Sequence, residues 1–586
     1  MKQLIPTLLI IIVIMSCVDK KKTPNNAVAT LKMSQSDSFK KWWKEGVLYQ
    51  IYPQSFNDSN GDGFGDFRGV IEKLDYLESL GITMVWMNPF FESPLVDNGY
   101  DVSNYKAIHP RYGTMEDFQE MMDSMQSRGI KFILDVVVNH SSNEHEWFKQ
   151  ACSSRDNKYY DYYHWWPAEK GKPPHRHSLF DPEGGWDYVE ANNSYYLHTF
   201  AEAQPDLNWE NPKVRQEVYD IMKFWAEKGV DGFRMDAFQF VSKDTTFPQF
   251  PTGHEENFAK WYGMGPHLHD YLKEMYKEVI EPYDVFAVSE GSGSTFQDAH
   301  DLVDADRNEL QMAYHFDYVT LSRTPEGYTL ADFKEVFTKW DKEFAEEGWL
   351  AIFLSNHDNS RLVNRFGNPS PEFRRVSAQM LNTFLMSMRG TTYTYYGDEL
   401  GMTNIDMPTI EEYVDVSALG EYGMAKKRGE DMEEFMRTLN YNSRENGRTP
   451  MQWDDSKNAG FTTGIPWKRV NDNYKDINVA AQDKDPNSVL NHFRKMVKLR
   501  KDHEILVYGA YELLDKTNNE TYCFTRSFED KKVLVLLNFT DHDSNVSLPI
   551  VNTIGDLLIN NYNEFMVNGE TVILKPYQAV ICNLKK

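Results

Sequence analysis

From Val47 onward the chain alternates short β-rich apolar runs with amphipathic stretches of helical period. VLYQIYPQSF (47–56) predicts a strand, and VIEKLDYLESLG (70–81) then sets Val70, Leu74 and Leu77 on one helical face and ends at Gly81, a stop signal. MVWMNPF (84–90) predicts a second strand, a Met-rich stretch near 115–128 a second helix, and KFILDVVVNH (131–140) a third strand. The beat returns where Val214, Val218, Ile221 and Trp225 form a stripe that stops at Gly229, just before GFRMDAF (232–238). Further strands are predicted at DVFAVSE (284–290), LAIFLSNHD (350–358) and TTYTYYGDEL (391–400), with a short one near Met312 to Phe316. Repeated βα units predict a parallel sheet, and about eight of them predict a closed (β/α)8 TIM barrel, an α/β fold.

Two stretches break the rhythm. Residues 141–204, rich in Trp, Tyr, His and Pro, are too long for a simple βα connection and read as an inserted subdomain. Beyond Gly509 the helical period disappears, and TYCFTRSF, KKVLVLLNF and YQAVICNL read as strands, so 509–586 is expected to be a C-terminal antiparallel β-sandwich. The barrel is then expected over 39–140 and 205–508. At the other end, Lys2 precedes an apolar run from Leu4 to Met15 that is too short to span a bilayer comfortably, followed by Ser16 and Cys17. Residues 1–17 resemble a bacterial lipoprotein signal with Cys17 as the acylated residue, and the polar segment 18–38 reads as a flexible tether. That resemblance implies a protein of the bacterial cell envelope, anchored by lipid on the periplasmic side of the outer membrane and meeting the membrane through its anchor alone. Each acyl methylene buried contributes about 0.8 kcal/mol.

Composition narrows the partners. The formal charge of −26 repels phosphate backbones, and no Lys/Arg stripe with interleaved aromatics offsets it, so nucleic acid is excluded as an expected partner. Aromatic residues make up 14% of the chain, which suits sites that stack on sugar faces. The cysteines after Cys17, at 152, 523 and 582, are odd in number and far apart, and they do not read as a disulfide framework. There is no HExxH and no GxSxG, so neither a zinc protease nor a nucleophile-elbow hydrolase is supported.

The chemistry concentrates at strand ends. In a βα barrel the reacting groups lie where strands run out into their following loops. Asp236 ends Gly232-Phe233-Arg234-Met235, Glu290 ends an apolar run from Val285, and Asp358 follows Leu354-Ser355-Asn356-His357. In these flanks the chain resembles glycoside hydrolase family 13, in its oligo-1,6-glucosidase and α-glucosidase-like subgroup. DVVVNH (135–140), GFRMDAF, AVSEG (287–291) and FLSNHD (353–358) look like the family's four sequence regions in order, and QPDLNWENP (204–212) looks like its fifth. The match runs over roughly Trp42 to Lys586.

The resemblance implies that Asp236 attacks the anomeric carbon, Glu290 protonates the leaving oxygen, and Asp358 holds hydroxyls of the distorted sugar. Retention by this route needs two carboxyl groups roughly 5–5.5 Å apart, one ionised and one protonated. Arg234, two residues before Asp236 on the same strand face, is expected to keep the nucleophile ionised, while burial and neighbouring charge are expected to keep the proton on Glu290. His140 and His357 resemble the family's donors to sugar hydroxyls. Asp97 and Tyr100 resemble the residues that close a one-glucose pocket, Asp97 on the terminal hydroxyls and Tyr100 as a stacking face. Arg444 or Arg448 is expected to pair with Asp97 and block the pocket beyond one sugar, and the sequence does not choose between them. Phe180, Phe200 and Gln204 match further pocket residues of the subgroup.

The implied activity is a retaining exo-acting α-glucosidase on α-glucan oligosaccharides, without an organic cofactor. Subgroup members preferring α-1,6 bonds usually carry Val directly after the nucleophile, whereas this chain carries Ala237, which leans the expectation to α-1,4 bonds. Competing readings are an oligo-1,6-glucosidase, a trehalose synthase, sucrose-type phosphorolysis or transglucosylation on the same site, and a non-catalytic glycan-binding lipoprotein. The last would be expected to have lost catalytic carboxylates. Finally, DSNGDGFGD (58–66) offers oxygen ligands at Asp58, Asn60, Asp62, the Phe64 carbonyl and Asp66, with Gly63 at the sharp turn. Its twelfth position is Gly69, so it is no EF-hand, but related α-glucosidases carry Ca²⁺ in this loop, which implies a structural Ca²⁺ here.

Overall fold

The computed structural model describes residues 40–585; the signal segment, Cys17 and the tether lie outside the described residues. Eight parallel strands form one sheet: β1 (Val47–Ile51), β2 (Met84–Met87), β3 (Lys131–Val137), β4 (Gly232–Asp236), β5 (Phe286–Ser289), β6 (Met312–Ala313), β7 (Ala351–Ile352) and β8 (Thr391–Tyr395). Neighbours run β6-β5-β4-β3-β2-β1-β8-β7, and a parallel bridge from Ala313 to Leu350 joins the two edges into a barrel. The strands are apolar at nearly every position because side chains inside the barrel and under the helices are both withdrawn from water; in β1, Val47, Leu48, Tyr49 and Ile51 are fully buried. Val214, Val218, Ile221 and Trp225 are buried as the helical stripe predicts, in the helix Pro212–Ala226.

The strands stop earlier than the apolar runs that announce them. β4 ends on Asp236, β5 one residue before Glu290, and β7 well before Asp358. The single helix expected over 70–81 is corrected to two, Phe67–Glu72 and Leu74–Leu80, because Lys73 leaves helical geometry (φ −107°, ψ 6°). Asp66 caps the first through the Gly69 N–H at 2.6 Å, and Gly81 closes the second at φ 80°, the left-handed region that favours glycine.

In 141–204 a helix (Glu146–Ser153) precedes a three-stranded antiparallel sheet of Trp165–Pro167, Ser194–Leu197 and Trp186–Val189, the second of these central. The C-terminal part holds a five-stranded and a three-stranded antiparallel sheet. Leu534, Leu536, Val580 and Cys582 of the larger pack with Val546, Val572 and Leu574 of the smaller in one apolar cluster, a sandwich core. Buried Arg526 docks this part on the barrel by donating to the Ser387 and Leu506 carbonyls.

A further element lies between β8 and the helix Val489–Asp502. Helices α1 (Val416–Arg428) and α2 (Met432–Asn442) fold over the strand C-ends. Gly420 lets α1 approach closely: a Cβ there would stand 2.1 Å from the Phe180 carbonyl oxygen.

Candidate active site

β4 and β5 pair in register, with Met235 opposite Ser289, so the next residue along each strand brings Asp236 and Glu290 side by side. The Glu290 N–H donates to the Met235 carbonyl at 3.1 Å. Ala237 then turns into the left-handed region (φ 46°), and its N–H donates to Glu290 Oε2 at 2.9 Å. Beneath them lies Arg234, fully buried. Its Nη1 donates to Asp236 Oδ1 at 2.6 Å and to Asp135 Oδ1 at 2.8 Å, its Nε to the Tyr314 hydroxyl at 3.1 Å, and its Nη2 pairs with Glu290 Oε1. Trp86 and Tyr100 donate to the other oxygen of Asp135.

One guanidinium therefore faces three carboxylates, and such a cluster retains a proton. This crowding works against the expectation that Arg234 keeps Asp236 ionised. Burial and the adjacent Glu290 carboxylate push Asp236 well above the usual carboxylate range, and Arg234 only partly offsets them. Burial also lifts Asp135, to about 6. Arg234 does not line the cavity; it acts from behind the carboxylates.

Asp358 sits in the opposite electrostatic setting. Burial works against its charge, but the Arg444 and Arg448 guanidiniums outweigh that and hold it below the ordinary range. Arg444 is the residue that reaches Asp97: its Nη2 donates to Asp97 Oδ1 at 2.8 Å, its Nη1 to Asp358 Oδ1 at 2.9 Å and its Nε to Asp415 Oδ1 at 2.8 Å. Arg448 is corrected from a pocket residue to a supporting one. It lies outside the cavity lining, donating to Asp415 at 2.5 Å, to Asp358 at 3.2 Å and to the His357 carbonyl at 3.0 Å. Asp415, unseen in the sequence, holds both arginines and also caps α1 through the Ser417 N–H. Its one legible signal is an Asp directly before a helical run.

These groups open on a cavity of about 530 Å³ lined by Asp97, Tyr100, His140, Phe180, Phe200, Asp236, Ala237, Glu290, His357, Asp358 and Arg444. The Asp97–Arg444 pair, with Phe180 under the guanidinium at 5.1 Å, closes one end. Burial raises Asp97 to about 6 against the pull of Arg444. Gln204 lies behind the wall, donating to Asp97 Oδ2 at 3.1 Å, with its Nε2 3.1 Å from His140 Nε2. The Tyr100 ring stacks on His357 (centroids 5.4 Å, 10° apart) and its hydroxyl is 2.8 Å from His357 Nε2, so the face expected for sugar is taken on that side by imidazole. Burial keeps both histidines neutral, His140 near 4 and His357 well below its ordinary value. A further part of the wall comes from α1 and α2 through Ser417, Phe435, Thr438 and Leu439, which no strand-end search would find.

The loop 58–66 curls as its alternating oxygens suggest. Asp58 Oδ1 accepts from the Asn60 N–H (3.0 Å), Asn60 from the Asp62 N–H (2.9 Å) and Asp62 from the Phe64 N–H (2.9 Å), while Asp66 Oδ2 accepts from the Ser59 N–H (3.0 Å). Gly63 is at φ 94°, and a Cβ there would meet the Ile465 carbonyl oxygen at 1.9 Å. Asp58, Asn60, Asp62, Asp66 and the Phe64 carbonyl are a hard, all-oxygen donor set on one short loop, which fits Ca²⁺ in chemistry.

The barrel, the strand-end carboxylates and the inserted subdomain together define an α-amylase-type glycoside hydrolase. The family described as alpha amylase, catalytic domain, matches residues 50–509, and the alpha-amylase SusG C-terminal domain matches 522–581. The chain belongs to the α-amylase family, glycoside hydrolase family 13. It is 45% identical to an oligo-1,6-glucosidase of Parageobacillus thermoglucosidasius over 93% of this chain and 99% of that one, and 40% identical to an alpha-glucosidase of Schizosaccharomyces pombe over 94% and 100%. Among solved structures, the isomaltulose synthase of Klebsiella sp. LX3 superposes with a TM-score of 0.90 at 40% identity, covering 93% of this chain and all of that one.

Proposed function

We propose that this protein is a retaining, exo-acting α-glucosidase that removes single glucose units from the non-reducing ends of α-gluco-oligosaccharides. The observation that carries the reading is the convergence of Asp236 and Glu290 on one guanidinium at the floor of a cavity closed by Asp97 and Arg444. A glucosyl ring against that closed end presents its anomeric carbon to Asp236. Positive charge developing there favours the ionised form of Asp236, and Glu290 delivers the proton to the departing oxygen. Asp236 forms the covalent glucosyl intermediate, and Glu290 then draws a proton from the water that releases glucose. Asp358, kept ionised by the two arginines, accepts hydrogen bonds from the ring's hydroxyls. Asp97 and Arg444 take the hydroxyls farthest from the bond being cut and leave no passage for a longer chain.

Ala237 lines the cavity beside the cleaved bond, and its short side chain favours α-1,4 over α-1,6 substrates in this reading. Purified enzyme is expected to have a higher kcat/KM for maltose than for isomaltose. Ala237→Val is expected to shift that ratio toward isomaltose by about 1–3 kcal/mol, the range for a change of a methyl or two in a pocket. A strong isomaltose preference in the wild type overturns the linkage assignment. Chromatography of products from maltose, isomaltose, sucrose and trehalose separates hydrolysis from transfer to a sugar acceptor, the outcome that the likeness to an isomaltulose synthase makes worth measuring.

We also propose that the loop 58–66 holds Ca²⁺ as a structural ion. Ca²⁺ that binds only the folded chain raises stability by mass action. Chelation is expected to lower the unfolding temperature by a few degrees, with Ca²⁺ restoring it and Asp62→Asn abolishing the response; an identical melting curve with and without chelator rejects the ion.

A further inference from the structure

A second cluster of ligand-type side chains stands behind the pocket wall, in the inserted subdomain. Asp181, Asp187 and His198 bring one oxygen or nitrogen each within 4.8 Å of one another. They belong to three separate pieces of chain: the loop that carries Phe180 into the cavity, the strand Trp186–Val189, and the end of the strand that leads to Phe200.

The imidazole of His198 is fully buried and oriented from behind, with Nδ1 2.8 Å from the Phe200 carbonyl oxygen. A carbonyl only accepts, so Nδ1 carries a hydrogen, and in the neutral ring Nε2 presents its lone pair. That lone pair faces Asp187 Oδ2 at 2.8 Å, in a direction in which Nε2 makes no hydrogen bond. Two electron-rich atoms so placed repel unless a proton on Nε2 or a metal cation stands at them. Asp181 adds a second carboxylate, held by the Glu183 N–H on Oδ1 at 2.8 Å. Among the described residues neither Asp181 nor Asp187 pairs with a lysine or arginine. The surplus negative charge is felt nearby: burial first, and then Asp187 and Asp181, raise Glu202.

We propose that Asp181, Asp187 and His198 form a binding site for a borderline divalent cation of the Zn²⁺ type. One imidazole nitrogen and two carboxylate oxygens, with room for water on the exposed side of Asp187, are ligands such an ion takes, whereas Ca²⁺ prefers oxygen alone. The cation ties Asp181 to His198, and so ties the segments bearing Phe180 and Phe200, whose rings lie 5.5 Å apart in the pocket wall. It acts by holding that wall, with no contact to the carboxylates that do the chemistry.

The test is titration of chelator-treated full-length protein with Zn²⁺ by calorimetry, in saturating Ca²⁺ so that the first barrel loop is filled. Wild type is expected to take up one Zn²⁺ per chain, and Asp187→Asn and Asp181→Asn, both at partly exposed positions, to lose that uptake while melting at the wild-type temperature without Zn²⁺. Zn²⁺ is expected to raise the unfolding temperature of the wild type alone. Absence of uptake by the wild type, or equal affinity in the two variants, overturns the proposal. Neither readout depends on glucosidase turnover, so this failure is distinguishable from failure of the proposed activity.

Discussion

Asp236→Asn is expected to lower kcat on an aryl α-glucoside by on the order of 10⁴-fold or more, the scale on which losing the central member of a catalytic set is felt. Stability should move the other way. The ionised form of Asp236 is disfavoured by burial and by Glu290, so its pKa in the folded chain lies above the unfolded value. A group of that kind contributes stability that is full below its unfolded pKa and lost as pH rises through its folded pKa. At neutral pH the uncharged Asn therefore gives up nothing, and the unfolding temperature should hold or rise. A residue kept only for packing or ion pairing would behave in the reverse way. Glu290→Gln is expected to cost about 10² to 10⁴, the range for a lost general acid and base, and to cost less with a nitrophenyl leaving group than with maltose. Steady-state rates and melting curves of the two variants check both statements, and turnover at the wild-type rate in either would refute the roles assigned.

The second large effect belongs to Arg444. Its guanidinium serves Asp97, Asp358 and Asp415 at once, and all three carboxylates lose a partner in Arg444→Met. Removing one side of a buried ionic cluster costs about 3–5 kcal/mol, because the charge left behind is neither solvated nor paired. Arg448 remains for Asp358 and Asp415, but Asp97 keeps only Gln204. The variant should melt earlier and show a raised KM for short glucosides, since the closed end of the cavity loosens. Arg444→Lys should recover only part of either property: one ammonium cannot reach three carboxylates in the directions of a planar fork. Unchanged melting and unchanged KM in Arg444→Met would remove the clamp from the account of exo action.

Much of the site is legible in the text because strand C-ends are where a βα barrel gathers its chemistry, and an apolar run ending in Asp or Glu marks such a place. Asp236, Glu290 and Asp358 stand out in this way, and the structure brings all three to one cavity. Three matters resisted. The sequence offers Arg444 and Arg448 on equal terms, four positions apart, and only their distances to Asp97 separate them. Asp415 looks like a helix cap, which it is, while its contact with two arginines depends on chain 29 and 33 residues away. The wall supplied by α1 and α2 lacks strand-end carboxylates and a strong apolar stripe; only three residues of α1 and one of α2 are buried.

What the sequence by itself determined is local in origin: alternating strand and helix periods, hence a barrel; the termination of strands in carboxylates; and the curl of an oxygen-rich loop around Gly63. Each follows from interactions among residues a few positions apart. The protonation of the carboxylate cluster was decided only by tertiary structure. Arg234 adjoins Asp236 in the chain and by proximity alone would keep it charged, yet Asp135 and Glu290, about a hundred and about fifty residues away, are folded against the same guanidinium. Coulombic energy and desolvation depend on where charges stand in space, and that placement exists only once the barrel has closed.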